Sequence, residues 1–188
     1  MKIVVLEGNP KNTGLCMELT NCLVRGAEDG GAKVSRINTL MIERCRMCGT
    51  GEGICNTESV CAFGEDGFDE AQAEVRSADA FIIVSPVYFF EVTECLKSFI
   101  DRLRRCEKIW GRSKGLAGKP VILAASAGDS GKGVLNALSQ MERLCDHTGA
   151  KVLDFIAVNR WNREHKFKAA YEAAKEMASG RPMPAPSH

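Results

Sequence analysis

The run Ala80-Phe81-Ile82-Ile83-Val84 limits the possible folds more than any other stretch of the chain. Five apolar residues in unbroken succession leave no polar face for water. They predict a strand covered on both sides, as in a parallel sheet between helical layers. Ser85-Pro86 predicts an abrupt end, because proline brings no N–H to a central ladder. Tyr88, Phe89 and Phe90 then fall in a loop. A helix is expected from near Val92, where Val92, Leu96, Phe99, Ile100, Leu103 and Cys106 recur at helical spacing. Glu94, Lys97, Asp101, Arg104 and Arg105 fill its other face. A buried strand that ends in an aromatic loop at its carboxyl edge is where open α/β sheets take ligands. Three rings after a proline favour a flat, ring-shaped ligand over a merely packed connection.

The same alternation runs through the rest of the chain. Further strands are expected at Ile3–Leu6, Lys33–Asn38, Pro120–Ala125 and Lys151–Val158. Further helices are expected over about 15–28, 66–77, 133–147 and 162–179. Five strands alternating with five helices give an α/β fold, a doubly wound five-stranded parallel sheet in the order 2-1-3-4-5. It forms a single domain over 1–180, followed by a loose tail, 181–188, that holds three prolines. Between the first strand and its helix, Glu7-Gly8-Asn9-Pro10-Lys11-Asn12-Thr13-Gly14 makes a natural phosphate cradle. Backbone N–H groups and the positive end of the helix point into such a turn.

Ser85-Pro86-Val87-Tyr88, followed by Leu96-Lys97-Ser98-Phe99-Ile100-Asp101-Arg102, resembles the flavin loop and next helix of the flavodoxin-like NAD(P)H-dependent FMN reductases. That superfamily includes the iron–sulfur flavoproteins, and the likeness runs from about Lys2 to Lys168. It implies a flavodoxin-like fold, bound FMN, and NAD(P)H as co-substrate. It also implies that Asn9, Lys11, Asn12, Thr13, Gly14 and Leu15 surround the phosphate, and that Pro86, Val87, Tyr88, Phe89 and Phe90 meet the ring. By the same resemblance Ser126, Ala127 and Gly128 are expected to border the ring from its other side. The chain departs from the family where Asn9 replaces a serine and Leu15-Cys16 replace an Asn-Thr pair. The phosphate is therefore expected to lean on backbone donors.

After the second strand comes a cysteine-rich insertion, 43–65, in which Cys45, Cys48, Cys55 and Cys61 follow a C-x2-C-x6-C-x5-C spacing. Four thiolates this close, separated by glycines, can fold around one metal centre. Iron–sulfur flavoproteins carry a compact cluster at this place, usually C-x2-C-x2-C and then a fourth cysteine. Here Gly51 occupies the usual third position, and Cys55 must serve instead. Three readings stand at this point: a 4Fe–4S cluster, a four-cysteine zinc knot, and reduced or disulfide-forming thiols. Iron–sulfur stands ahead of zinc. Cys16, Cys22, Cys95, Cys106 and Cys145 sit at helix positions where cysteine serves as a small core hydrophobe.

Composition narrows the function classes. Twenty-five basic and 24 acidic side chains leave a net charge of +1, with no basic block to bind nucleic acid. No apolar run reaches the roughly 20 residues of a membrane span. Nine cysteines without an export signal predict a cytoplasmic protein with thiols used as ligands. There are three histidines, His147, His165 and His188, and no Ser-His-Asp or paired-carboxylate set near the loops, so no acid–base catalyst is assigned. The expected function is an FMN-dependent NAD(P)H oxidoreductase that passes electrons through flavin to a small-molecule acceptor. The alternative is an iron–sulfur flavoprotein exchanging electrons with a ferredoxin-type partner. A zinc-bearing interaction module would require the flavin loops to be coincidental. Self-association as a homo-oligomer is also expected.

Overall fold

The first strand, β1 (Lys2–Glu7), shows why the sheet needs two helical layers. Ile3 and Val5 face one side and Val4 and Leu6 the other, and all four are fully buried. β1 pairs in parallel with β2 (Lys33–Asn38) and β3 (Ala80–Pro86); β4 (Pro120–Ser126) and β5 (Lys151–Val158) complete the sheet. Its order is β2-β1-β3-β4-β5. The computed structural model describes residues 1–48, 53–107 and 115–180.

Helices α1 (Leu15–Asp29) and α5 (Arg163–Ala178) cover the face that carries Ile3, Val5, Ile82 and Val84. Helices α2 (Phe68–Ser77), α3 (Glu94–Cys106) and α4 (Val134–Thr148) cover the face of Val4, Leu6, Phe81 and Ile83. All seven residues of β3 are buried, as the unbroken apolar run requires. Each fully buried Leu, Ile, Val or Phe stabilises the fold by about 1.5–3 kcal/mol. β2 lies at the sheet edge and is mostly exposed or half-buried, in line with its mixed composition.

Ser85-Pro86 does not stop β3 where expected. The strand runs through Pro86, which pairs in register with Ser126 of β4. The Val87 N–H bonds to the Ser126 carbonyl at 2.8 Å, so Pro86 turns its nitrogen toward β1. The β1 ladder has already ended there, with Glu7 opposite Val84, and no bond is lost. The helix expected from Val92 starts at Glu94, because Thr93 adopts an extended backbone and caps it. The helix expected from Asp66 starts at Phe68, after a short 3-10 turn over Gly64–Asp66. On α5, Phe167 and Tyr171 are only half-buried.

All five strands point their carboxyl ends the same way, so the loops leaving β1, β2, β3 and β4 share one edge of the sheet. Among the described residues no helix is long and apolar enough to cross a membrane. The expected tail from Arg181 to His188, and Gly49 to Glu52 of the cysteine segment, lie outside the described residues.

Candidate functional site

The turn after β1 is built around a buried amide. Asn9 is 6% exposed, its Oδ1 accepts the Lys11 N–H at 3.4 Å, and its buried Nδ2 has no partner among the described residues. A buried amide donor left unpaired costs about 1–3 kcal/mol, a penalty that an anion in the turn would remove. Lys11, Asn12, Thr13 and Gly14 are exposed, and Leu15 is half-buried. Gly14, with φ +89°, is the N-cap of α1 and gives the helix no side-chain cap. The first N–H groups of α1 therefore lack intrahelical acceptors. Cys16, just inside the helix, is buried, and burial pushes its thiol up to about 12. It stays protonated and structural.

The aromatic loop is a two-residue hairpin turn. Tyr88 and Glu91 exchange backbone hydrogen bonds at 3.0 and 3.1 Å. Phe89 and Phe90 sit between them with φ of +47° and +69°. Such turns normally hold Asn-Gly, since other residues are strained at positive φ. The turn is held from outside: Asn136 Nδ2 donates to the Phe90 carbonyl at 3.0 Å, and Gln140 Oε1 accepts the Val92 N–H at 3.1 Å. Tyr88 is 45% exposed, Phe90 53% and Phe89 94%. Pro86 is buried and Val87 half-buried. Of the three rings, Tyr88 is the one that lines the cleft beside the β1 turn.

Thr93 joins the two loops. Its Oγ1 donates to the Gly8 carbonyl at 2.6 Å, and its N–H reaches Ser85 Oγ at 3.2 Å. On the other side, Ser126 belongs to β4 and is buried with Ala127, whereas Gly128 is exposed. The anticipated loop residues thus begin inside the strand.

Three cavities run in succession along this edge. The first, about 440 Å3, is lined by Asn9 to Thr13. The second, about 400 Å3, shares Pro10 with it and adds Tyr88, Thr93 and Cys95. The third, about 370 Å3, shares Arg44 and Ser98 with the second and is lined by Cys45, Cys48, Cys55 and Cys61. All nine cysteines are free, and these four are half-buried. A Cβ on Gly53 would stand 2.2 Å from the Cys48 sulfur and 3.8 Å from that of Cys55. Met47 takes a left-handed backbone, φ +49°, between the first two thiols. The sulfurs line the cavity without closing on a point: among the described residues no three His, Cys, Asp or Glu groups are placed to hold a metal ion.

Cys106, at the end of α3, also lines this cavity but is 2% exposed. Burial first, then the nearby Cys61 and Cys55, push its thiol up to about 12.

The profile of the NADPH-dependent FMN reductase family matches residues 1–162. The chain belongs to that family. An iron-sulfur flavoprotein of Archaeoglobus fulgidus is 33% identical over 105 residues, 55% of this chain and 46% of that protein. One of Methanosarcina thermophila is 28% identical over 104 residues, 54% of this chain and 52% of that protein. The chain spans about half the length of these curated relatives. The solved NAD(P)H:quinone oxidoreductase from Methanothermobacter marburgensis shares the fold, with TM-score 0.71 at 17% identity, covering 94% of this chain and 96% of that one.

Against this FMN reductase background, the residues suit both groups that the resemblance implies. The orphan Asn9 amide and the open first turn of α1 suit a phosphate. Four thiols on one cavity, with a glycine where a Cβ would press on a sulfur, suit a thiolate-bound cluster. Several residues of this edge of the sheet escaped the sequence reading. Arg44 and Ser98 form the wall between the second and third cavities. Arg102 is 3% exposed and paired with Asp66, Nη1 to Oδ2 at 2.6 Å. Its one sequence signal is spacing: three residues after Phe99, it falls on the buried stripe of α3.

Asp66 carries a pH signature. Burial pushes its carboxyl up, but Arg102, by hydrogen bond and charge, and the N–H groups of Glu43 and Phe68 outweigh it and hold the carboxyl below the usual range. A depressed folded value adds stability that is complete above the unfolded carboxylate value of about 3.9. That stability is lost as pH falls through the folded value. Urea melts of the native protein between pH 6 and 3 are expected to show this decline, and Asp66→Asn should flatten it. An identical acid limb in the two proteins would mean that Asp66 contributes nothing to it.

Proposed function

We propose that this FMN reductase family member is an FMN-dependent NAD(P)H oxidoreductase that passes electrons through bound flavin to a small-molecule acceptor. The observation that carries this reading is the continuous track from the Asn9 turn past Tyr88. Asn9 and the first N–H groups of α1 would hold the phosphate, while Tyr88 and Val87 orient the ring. Thr93 fixes the spacing between the two loops through Gly8 and Ser85. Bound FMN would supply the hydride-accepting ring, so the chain needs no acid–base pair of its own. Self-association belongs to the same reading: Phe89, Leu135 and Trp161 are 94%, 77% and 88% exposed, Phe89 and Trp161 just after β3 and β5 and Leu135 in the first turn of α4.

A second reading is favoured by the cysteine cavity that adjoins the flavin track through Arg44 and Ser98. In it, Cys45, Cys48, Cys55 and Cys61 hold a 4Fe–4S cluster, and a ferredoxin-type protein exchanges electrons with the chain. Titration of apo-protein with FMN, followed by flavin fluorescence, tests the flavin site. Binding at micromolar protein is expected, and its absence sinks both readings. Anaerobic NADH or NADPH should then bleach the flavin absorbance. Failure of both, with success of reduced ferredoxin, selects the second reading.

A further inference from the structure

Arg102 is the most deeply buried cation of the cysteine region. It is 3% exposed on the inner stripe of α3, beside Phe99 and Leu103. A buried guanidinium is tolerated only with partners, and this one draws them from both ends of the insertion. Nη1 donates to the Glu43 carbonyl at 2.7 Å, at the start of the segment. Nη2 donates to the Phe63 carbonyl at 3.0 Å and to Asp66 Oδ1 at 3.1 Å, at its end. The guanidinium carbon lies 4.2 Å from the Phe68 ring centroid.

One of its partners is a sulfur. Nη2 stands 3.3 Å from Cys61 Sγ. Asp66 alone would answer the charge, and the two carbonyls would answer the geometry; neither accounts for a donor aimed at a thiol on the cavity wall. The Arg102 Nε is buried and has no partner among the described residues. The cation is thus anchored by its surroundings, yet keeps one contact for the cysteine set.

We propose that Arg102 is a positioning residue for the cysteine centre, holding Cys61 as a ligand and favouring the reduced state of the cluster. This rests on the iron–sulfur reading above. A reduced cluster carries one more negative charge than an oxidised one. A hydrogen bond and a positive charge at a ligand sulfur stabilise that extra charge and raise the potential. Asp66, bonded to the same guanidinium, offsets part of the effect. No bond is made or broken at Arg102: it biases a one-electron equilibrium, and in the test that electron comes from dithionite. Lysine is no substitute, since a single ammonium cannot bridge Glu43, Phe63, Asp66 and Cys61 at once.

The experiment is an anaerobic dithionite titration of iron-loaded native, Arg102→Gln and Asp66→Asn proteins, with iron and sulfide measured on each. Arg102→Gln is expected to shift the cluster's reduction equilibrium about tenfold toward the oxidised form, a one-electron change of about 59 mV. Asp66→Asn keeps an oxygen acceptor but removes the opposing charge, and is expected to shift it severalfold the other way. Opposite shifts at equal iron content are a result that a purely structural clasp would not give. If Arg102→Gln loses its iron, the direction of the Asp66→Asn shift decides. Full iron in both variants with the native potential overturns the role of Arg102 and leaves the cluster standing. Native protein that takes up no iron under anaerobic reconstitution overturns the cluster reading, and the inference with it.

Discussion

Replacing Gly133 by valine is expected to weaken FMN binding at least tenfold, about 1.4 kcal/mol, in a protein that still folds. Gly133 is the N-cap of α4, with φ +82°. A Cβ there would stand 2.5 Å from the Phe90 Cα and 2.8 Å from Val87 Cγ1. The Phe90 backbone cannot yield locally, because Asn136 holds its carbonyl and Gln140 holds the Val92 N–H. The whole turn must leave α4. Tyr88 goes with it, since it is bonded across the turn to Glu91. Stability should fall by about 1–2 kcal/mol for the left-handed backbone and about 1–3 kcal/mol for the overpacking.

Gly149→Ala supplies the control. Its φ is +76° at the other end of α4, and its Cβ would meet nothing closer than 3.7 Å. It pays the backbone strain without touching the turn. Thermal melts paired with fluorescence titration separate the two effects. Equal FMN affinity in both variants would mean that the turn on α4 does not position the flavin.

That turn also shows where sequence reasoning ends. Phe-Phe is the reverse of a hairpin signal, and nothing local asks for positive φ at Phe89 and Phe90. Their conformation is imposed by Asn136 and Gln140, more than 40 residues away. The doubly wound sheet, by contrast, was legible, because strands alternate with helices along the chain and apolar runs such as Ala80–Val84 and Ile3–Leu6 ask for cover on both faces. Lys33–Asn38 and Lys151–Val158 were legible to the residue, since turn residues bound them. A proline's missing N–H ends a strand only where that N–H would face a live ladder, and Pro86 faces the side where β1 has already ended. Arg102 was hidden by its charge: a cation three residues from Phe99 reads as surface until its partners, Glu43, Phe63 and Asp66, are brought to it. The cysteine spacing pointed to a shared site; the structure lines one cavity with all four thiols, and among the described residues no three of them close on a single ion. It did not announce the fifth, Cys106, which the helical period assigned to the core.

The largest expected effect in the chain belongs to those cysteines. Serine at Cys45, Cys48, Cys55 or Cys61 should remove most of the bound iron from protein prepared without oxygen, starting from about four irons per chain. Serine at Cys106 should leave it in place. The four are half-buried on the cavity wall, where a sulfur can reach a metal without uncovering the core. Cys106 is 2% exposed and belongs to the buried core on the α2, α3 and α4 side of the sheet. Drawing it out as a ligand would vacate a filled core position. A buried hydroxyl there should cost about 1–3 kcal/mol of stability if left unpaired, with no change in iron. The insertion should respond differently. It is a polar, glycine-rich segment with few apolar side chains to offset its ordering entropy, and a bound centre would supply that stabilisation. Each of the four serine variants should therefore become sensitive to protease between Glu43 and Phe63, while the Cys106 variant stays resistant. Iron and sulfide analysis beside limited proteolysis decides the matter. A Cys106 variant stripped as completely as the Cys61 variant would move Cys106 into the ligand set. One zinc per native chain, with no iron, would keep the shared site and remove electron transfer from it.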